Sequence, residues 1–324
     1  MRDFKIVTGT ANVELAKLIA DYNKVPLVRA LVDHFPDGET QVRIDENVRG
    51  SDLFIIQPTC PPANDNLMEL LLLLDAAKRS SARRITAVLP YFGYARQDRK
   101  EESRVPISAK LVTDLITKAG AQRVLAFDLH TPQIVGFFDI PVDHMLSAGI
   151  LIDFLNSHEA PDFLTPGEKL VVTAPDVGAM RRALTVSEMA KSCFAMVAKK
   201  RKSPSETEAT HIVGDVSGKN ILLVDDMSLT AGTLVNAAEL LKQHGAQKTG
   251  AFVTHYLLHQ KALDRLVDSP IDVMLTTDSV PLAVKGHKLV TSGRLIRLSC
   301  APLLGEAIRR INNEESMQGL FRPA

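Results

Sequence analysis

Short apolar runs alternate with amphipathic helical patterns along nearly the whole chain. The runs are Phe4–Val7, Leu53–Gln57, Ile85–Leu89, Val124–Phe127, Leu170–Thr173, Ile221–Val224, Gly250–Thr254, Val273–Thr276 and Leu295–Leu298. Several are continuously apolar rather than alternating, as strands covered on both faces must be, so they predict mainly parallel sheets flanked by helices. Between them, stretches such as Asn64–Lys78, Ile107–Lys118 and Gly232–Gln243 space their apolar residues for one helix face. The expected fold class is α/β.

An internal repeat sets the domain organisation. Residues 120–130, Gly-Ala-Gln-Arg-Val-Leu-Ala-Phe-Asp-Leu-His, recur at 245–255 as Gly-Ala-Gln-Lys-Thr-Gly-Ala-Phe-Val-Thr-His. Each copy follows an amphipathic helix, and its glycine stands where a helix ends in the left-handed region before a strand. Two copies of one α/β domain are therefore expected, residues 1–148 and 149–324. The length of 324 residues agrees, because one hydrophobic core stops growing at roughly 250–300 residues.

Composition narrows the class. Hydrophobic residues at 45% and charged residues at 23% exclude disorder, and no apolar run approaches the ~18 residues of a membrane span. Thirty-eight basic and thirty-eight acidic residues cancel, which argues against nucleic acid as a partner. Cys60, Cys193 and Cys300 are dispersed and odd in number, so they read as reduced thiols of a cytoplasmic protein. The opening residues predict no secretory leader.

The most informative segment is residues 221–234, Ile-Leu-Leu-Val-Asp-Asp-Met-Ser-Leu-Thr-Ala-Gly-Thr-Leu. A strand ends in two carboxylates, Asp225 and Asp226, and the turn Thr230-Ala231-Gly232-Thr233 opens a helix. Ligands of open α/β sheets bind at that edge, where backbone N–H groups and the positive helix end suit a phosphate. Gly232 lets the backbone approach, the threonines add hydroxyl donors, and the carboxylates suit ribose hydroxyls or a metal.

This segment resembles the phosphoribosyl-binding loop of type I phosphoribosyltransferase-fold proteins. Further segments narrow the resemblance to the ribose-phosphate pyrophosphokinase family: Phe35-Pro36-Asp37-Gly38-Glu39, Glu46–Gly50, Asn64–Leu70, Pro90–Asp98, Asp128-Leu129-His130 and Asp176-Val177-Gly178. The resemblance implies two tandem phosphoribosyltransferase-like domains, each a mainly parallel sheet flanked by helices. It implies transfer of the diphosphoryl group of ATP to the anomeric hydroxyl of ribose 5-phosphate, for nucleotide biosynthesis, with Mg2+ as cofactor.

By the same resemblance ATP is bound by Phe35, Asp37, Gly38, Glu39, Arg96 and Gln97, and ribose 5-phosphate by Asp225, Asp226 and the loop from Thr230 to Thr233. Aromatic stacking on adenine and an arginine on phosphate oxygens are suitable contacts. His130 and Asp176 match magnesium-linked positions, although imidazole is a poor magnesium ligand beside oxygen. Lys199 and Arg201 match a catalytic loop that stabilises charge on the transferring phosphoryl oxygens. Arg49, Arg104, Ser316 and Phe321 match a regulatory site for phosphate or ADP. A homo-oligomer, hexameric in the family, is implied.

One position departs from the family pattern. Leu229 stands where the loop usually carries aspartate, and losing a hydrogen bond to a charged group costs about 1.5–3 kcal/mol, roughly ten- to a hundredfold in binding or turnover. An active synthetase with altered kinetics or pentose preference is the main expectation. The alternatives are a weakly active or inactive paralogue that binds nucleotides and regulates or co-assembles with a true synthetase, and a phosphoribosyltransferase acting on a base.

Overall fold

The continuous apolar runs become strands buried on both faces, and this decides the architecture. The computed structural model describes residues 4–200, 209–257, 260–282 and 286–320. They divide into two compact units.

The first unit begins with β1 (Phe4–Thr8), α1 (Val13–Asn23), β2 (Ala30–His34), β3 (Thr40–Ile44), β4 (Asp52–Ile56) and α2 (Ala63–Arg79). It continues with β5 (Arg84–Leu89), α3 (Ser108–Ala119), β6 (Arg123–Phe127) and β7 (Val142–Met145). Its five-stranded sheet has the order β1-β4-β5-β6-β7 and is parallel throughout, while β2 and β3 form a separate antiparallel hairpin.

The second unit contains α4 (Ala148–Leu155), β8 (Leu170–Ala174), α5 (Met180–Met189), β9 (Cys193–Lys200), β10 (Ala209–Val213), β11 (Asn220–Ser228) and α6 (Gly232–Gln243). After these come β12 (Thr249–Tyr256), α7 (Gln260–Val267), β13 (Val273–Thr277), α8 (Gly286–Thr291) and β14 (Leu295–Leu298). Its sheet order is β10-β9-β8-β11-β12-β13-β14, with only the β9–β10 pair antiparallel. Alternation along β12 explains the continuous apolar run. Ala251 and Val253 pack with Leu234 and Leu241 of α6, whereas Phe252 packs on the other face with Leu151 of α4 and Ala183 of α5.

The repeated segments close their helices alike. Ala121 N–H bonds back to the Ile116 carbonyl and Ala246 N–H to the Leu241 carbonyl, with Gly120 and Gly245 at φ of +137° and +89°.

The C-terminal boundary differs from the expected division at 148/149. Helix α9 (Ala301–Asn313) belongs with the first unit and packs against α1. Its buried stripe, Leu304, Ala307, Ile308 and Ile311, needs an apolar partner, and α1 offers one. Polar contacts fix the register: Asn23 Nδ2 donates to the Gly305 carbonyl at 3.2 Å and Arg84 Nη2 donates to the Ile311 carbonyl at 2.8 Å. Arg84 is held in turn by the fully buried Asp52 carboxylate.

Candidate active site

The crevice of the second unit arises where neighbouring strands end at different heights. Strand β11 pairs with β8 as far as Leu223↔Thr173, but with β12 it continues to Ser228↔Tyr256. Asp225 and Asp226 therefore stand inside a strand, above the point where one neighbour has stopped. The sequence placed them at the strand's C-terminal edge, and the strand runs on two residues further, to Ser228.

Asp226 is 4% exposed. Its backbone N–H donates to Asp225 Oδ1 at 2.8 Å, and the two carboxylates lie close enough to interact with each other. Burial, then the negative charge of Asp226, and finally that of Asp176 hold the Asp225 carboxyl well above its usual range. A cation and a third carboxylate face this cluster. Arg182 of α5 has Nη1 3.9 Å from Asp226 Oδ1. Asp176 lies two residues past β8, and its Oδ1 accepts the Ala179 N–H at 3.2 Å, capping the turn into α5.

The loop into α6 turns sharply at its second residue. Ala231, not Gly232, adopts the left-handed conformation, at φ +58°, and it is buried. Gly232 N–H faces Thr230 Oγ1 at 3.4 Å, and the exposed Thr230 and Thr233 flank the first turn. Arg265 of α7, which sequence reasoning missed, donates from Nη1 to the Thr230 carbonyl at 2.9 Å. Arg182 was likewise overlooked. Helix α7 follows β12, the strand beside β11, and that sheet order, visible only in the fold, brings Arg265 next to the loop.

In the first unit, Phe35, Asp37, Gly38 and Glu39 form the tip of the β2–β3 hairpin. Phe35 N–H donates to the Glu39 carbonyl and Gly38 N–H to the Phe35 carbonyl, both at 2.8 Å, and the Phe35 ring remains 44% exposed. Arg96 and Gln97 are exposed in another segment, which is held by its backbone. Gly93 N–H donates to Thr59 Oγ1 at 2.7 Å, Tyr94 hydroxyl donates to Asn64 Oδ1, and Gln97 N–H donates to the Tyr94 carbonyl at 3.1 Å. Among the described residues no hydrogen bond joins the hairpin tip to Arg96 or Gln97.

His130 is partly exposed at the end of the turn after β6. That turn is braced: Asp128 has φ +42°, His144 Nε2 accepts the Leu129 N–H at 2.9 Å, and Thr131 Oγ1 donates to Asp98 Oδ2 at 2.7 Å. The segment of Arg96 and Gln97, through Asp98, is thereby tied to the His130 turn. His130 belongs to the first unit and Asp176 to the second.

Among the remaining expected positions, Arg49 N–H donates to Asn47 Oδ1 at 3.0 Å, and Arg104 has φ +64°; both are exposed. Ser316 Oγ accepts the Gln318 N–H at 3.2 Å, and its carbonyl accepts from Arg310 Nη1 at 3.0 Å. Lys199 is the penultimate residue of β9, where it pairs with Thr210, rather than part of the polar loop. Arg201 and Phe321 lie outside the described residues. No helix among the described residues is long and apolar enough to cross a membrane, and no three His, Cys, Asp or Glu side chains among them form a ready-made metal cluster.

Comparison with known proteins agrees with this geometry. Residues 4–120 match the N-terminal domain of ribose phosphate pyrophosphokinase, and residues 171–322 match the phosphoribosyl synthetase-associated domain. A ribose-phosphate pyrophosphokinase of Rhodopirellula baltica is 47% identical over 99% of both chains. One from Chlorobaculum tepidum is 50% identical over 98% of this chain and 94% of that one. The crystal structure of phosphoribosylpyrophosphate synthetase from Mycobacterium smegmatis superposes with a TM-score of 0.88 at 38% identity, covering 97% of this chain and all of the other. The two sheets, the carboxylate-bearing strand and the loop into α6 are thus those of a protein that belongs to the ribose-phosphate pyrophosphokinase family.

Proposed function

We propose that this protein transfers the diphosphoryl group of ATP to the anomeric hydroxyl of ribose 5-phosphate, releasing AMP and phosphoribosyl pyrophosphate. The observation that carries this reading is the β11 edge: paired carboxylates followed directly by a phosphate-type loop at a helix N-terminus. The 5-phosphate is held by the Thr230–Thr233 backbone and hydroxyls, with the positive end of α6 beneath it. Asp225 and Asp226 accept hydrogen bonds from ribose hydroxyls.

ATP is assigned to Phe35, Asp37, Gly38 and Glu39 for the base and to Arg96 and Gln97 for phosphate. Magnesium fits the oxygen donors present. Burial first and then the negative charge of Asp226 raise Asp225, a charge a cation relieves, and Mg2+ characteristically takes one or two carboxylates together with substrate phosphates rather than a closed protein cage. Asp176 and, through water or toward phosphate, His130 are the residues assigned to it. When bound, the ion neutralises phosphate charge and so exposes the β-phosphorus to attack.

The anomeric oxygen attacks the β-phosphorus in line, its proton departs, and AMP leaves with the bonding pair. Lys199 and Arg201 supply positive charge where the transferring and leaving oxygens gain negative charge. Arg49, Arg104, Ser316 and Phe321 are assigned to an anion that regulates the reaction, phosphate or ADP. The protein acts in the cytoplasm as a homo-oligomer. Nothing in the comparisons favours an inactive paralogue.

Purified protein incubated with Mg2+, ATP and ribose 5-phosphate is expected to release AMP in step with phosphoribosyl pyrophosphate. ATP binding without AMP release would overturn the reading.

A further inference from the structure

The loop that cradles the sugar phosphate has no charged side chain between Leu229 and Thr233, and it contains a strained alanine. A side-chain-bearing residue at φ +58° persists only where its surroundings enforce that conformation. Helix α7 supplies one such constraint. Arg265 Nη1 donates to the Thr230 carbonyl at 2.9 Å, and the same nitrogen lies 3.1 Å from where a Cβ on residue 232 would stand. The guanidinium therefore fills the space that glycine leaves open at 232 and touches both ends of the Thr230-Ala231-Gly232 turn.

The peptide plane turns this contact into an orientation. In a trans peptide the carbonyl and the following N–H point to opposite sides. Fixing the Thr230 carbonyl on Arg265 aims the Ala231 N–H away from α7. We infer that Arg265 is a positioning residue for sugar-phosphate binding, holding the Thr230–Ala231 peptide so that the Ala231 N–H points into the phosphate cradle before the ligand arrives. This rests on the reading of the loop as the ribose 5-phosphate site. Arginine suits the task because its planar fork fixes direction as well as charge, whereas lysine offers a flexible point charge. A preset loop binds the ground state and the transition state alike, so its loss weakens affinity for the sugar phosphate and leaves turnover at saturation nearly unchanged.

Calorimetric titration with ribose 5-phosphate, alongside AMP-release kinetics, tests this on the full chain. Arg265→Met, which keeps the apolar stem, is expected to weaken ribose 5-phosphate binding about tenfold while kcat stays within about twofold. Arg265→Lys is expected to recover part of that loss. In an Ala231→Gly background the Arg265→Met penalty is expected to shrink below about threefold, because glycine holds positive φ without enforcement. A dissociation constant within twofold of wild type, or an equal penalty in both backgrounds, overturns the inference. If Arg265→Met does not melt cooperatively, Arg265→Lys in the two backgrounds makes the same comparison. Failure of the wild-type protein to release AMP is a separate result, which strikes the functional reading and not the loop geometry.

Discussion

Arg182 and Asp226 face each other across the crevice of the second unit, 3.9 Å apart, with the carboxylate side chain 6% and the arginine 20% exposed. Asp226 sits beside a second carboxylate on the same strand, so this arginine offsets part of a concentrated negative charge.

Removing that cation leaves a buried carboxylate less compensated, which is costlier than losing the pair altogether. Arg182→Met is expected to lower stability by about 1–3 kcal/mol, and Arg182→Met combined with Asp226→Asn by less than Arg182→Met alone. Urea midpoints of wild type, both single variants and the double variant measure it. A double variant no more stable than Arg182→Met would show that the two side chains do not interact.

Leu229 stands within the loop, at the position where the resemblance drawn from the sequence leads one to expect aspartate. Leu229→Asp restores an acceptor for a ribose hydroxyl, so kcat/KM for ribose 5-phosphate is expected to rise about ten- to a hundredfold. Steady-state AMP release decides it, and no gain would mean that Leu229 is not the limiting difference.

Gly305 of α9 lies under the Tyr22 ring, where an added Cβ would come 2.6 Å from Tyr22 Cδ1 and 3.1 Å from Asn23 Nδ2. Gly305→Ala is expected to lower stability by about 1–3 kcal/mol through overpacking, with Tyr22→Ala in the same chain relieving much of the clash. Thermal melts of the single and double variants report it. An unchanged Tm in Gly305→Ala would disprove close contact between these helices.

Glu306 is held down to about 2 by hydrogen bonds, first from Arg309 and then from Arg310, against the opposing effect of burial. Its folded value lies below the ordinary 4.5, so its stabilisation is complete above that value and disappears as pH falls toward 2. Glu306→Gln is expected to cost about 1 kcal/mol at neutral pH and nothing at the acid end. Denaturation at pH 7, about 4 and about 2.5 follows the convergence, and a constant gap at all three would contradict it.

Much of this architecture was legible in the residues. Ile221–Val224 reads as a strand because both its faces are covered, Ile221 and Leu223 packing in one cluster and Leu222 and Val224 in the other, so neither face required polar residues. The β2–β3 hairpin escaped notice because its strands are only partly buried and carry no continuous apolar run. Strand β9 was equally hidden, since its tail, Lys199 and Lys200, carries the charge of a surface loop yet pairs with β10. At the loop, the glycine drew attention from its neighbour: Ala231 bears the positive φ, which no composition rule assigns to alanine. Arg182 and Arg265 came to the carboxylates and the loop from other elements, a proximity only the fold creates.

The return of α9 to the first unit has a consequence for how the polypeptide is made. A ribosome releases residues 1–146 long before helix 301–313 emerges, so the earliest part of the protein waits, with one side of α1 uncovered, until the intervening sheet has been synthesised. Cutting the gene at the visible midpoint would leave that apolar surface open for good.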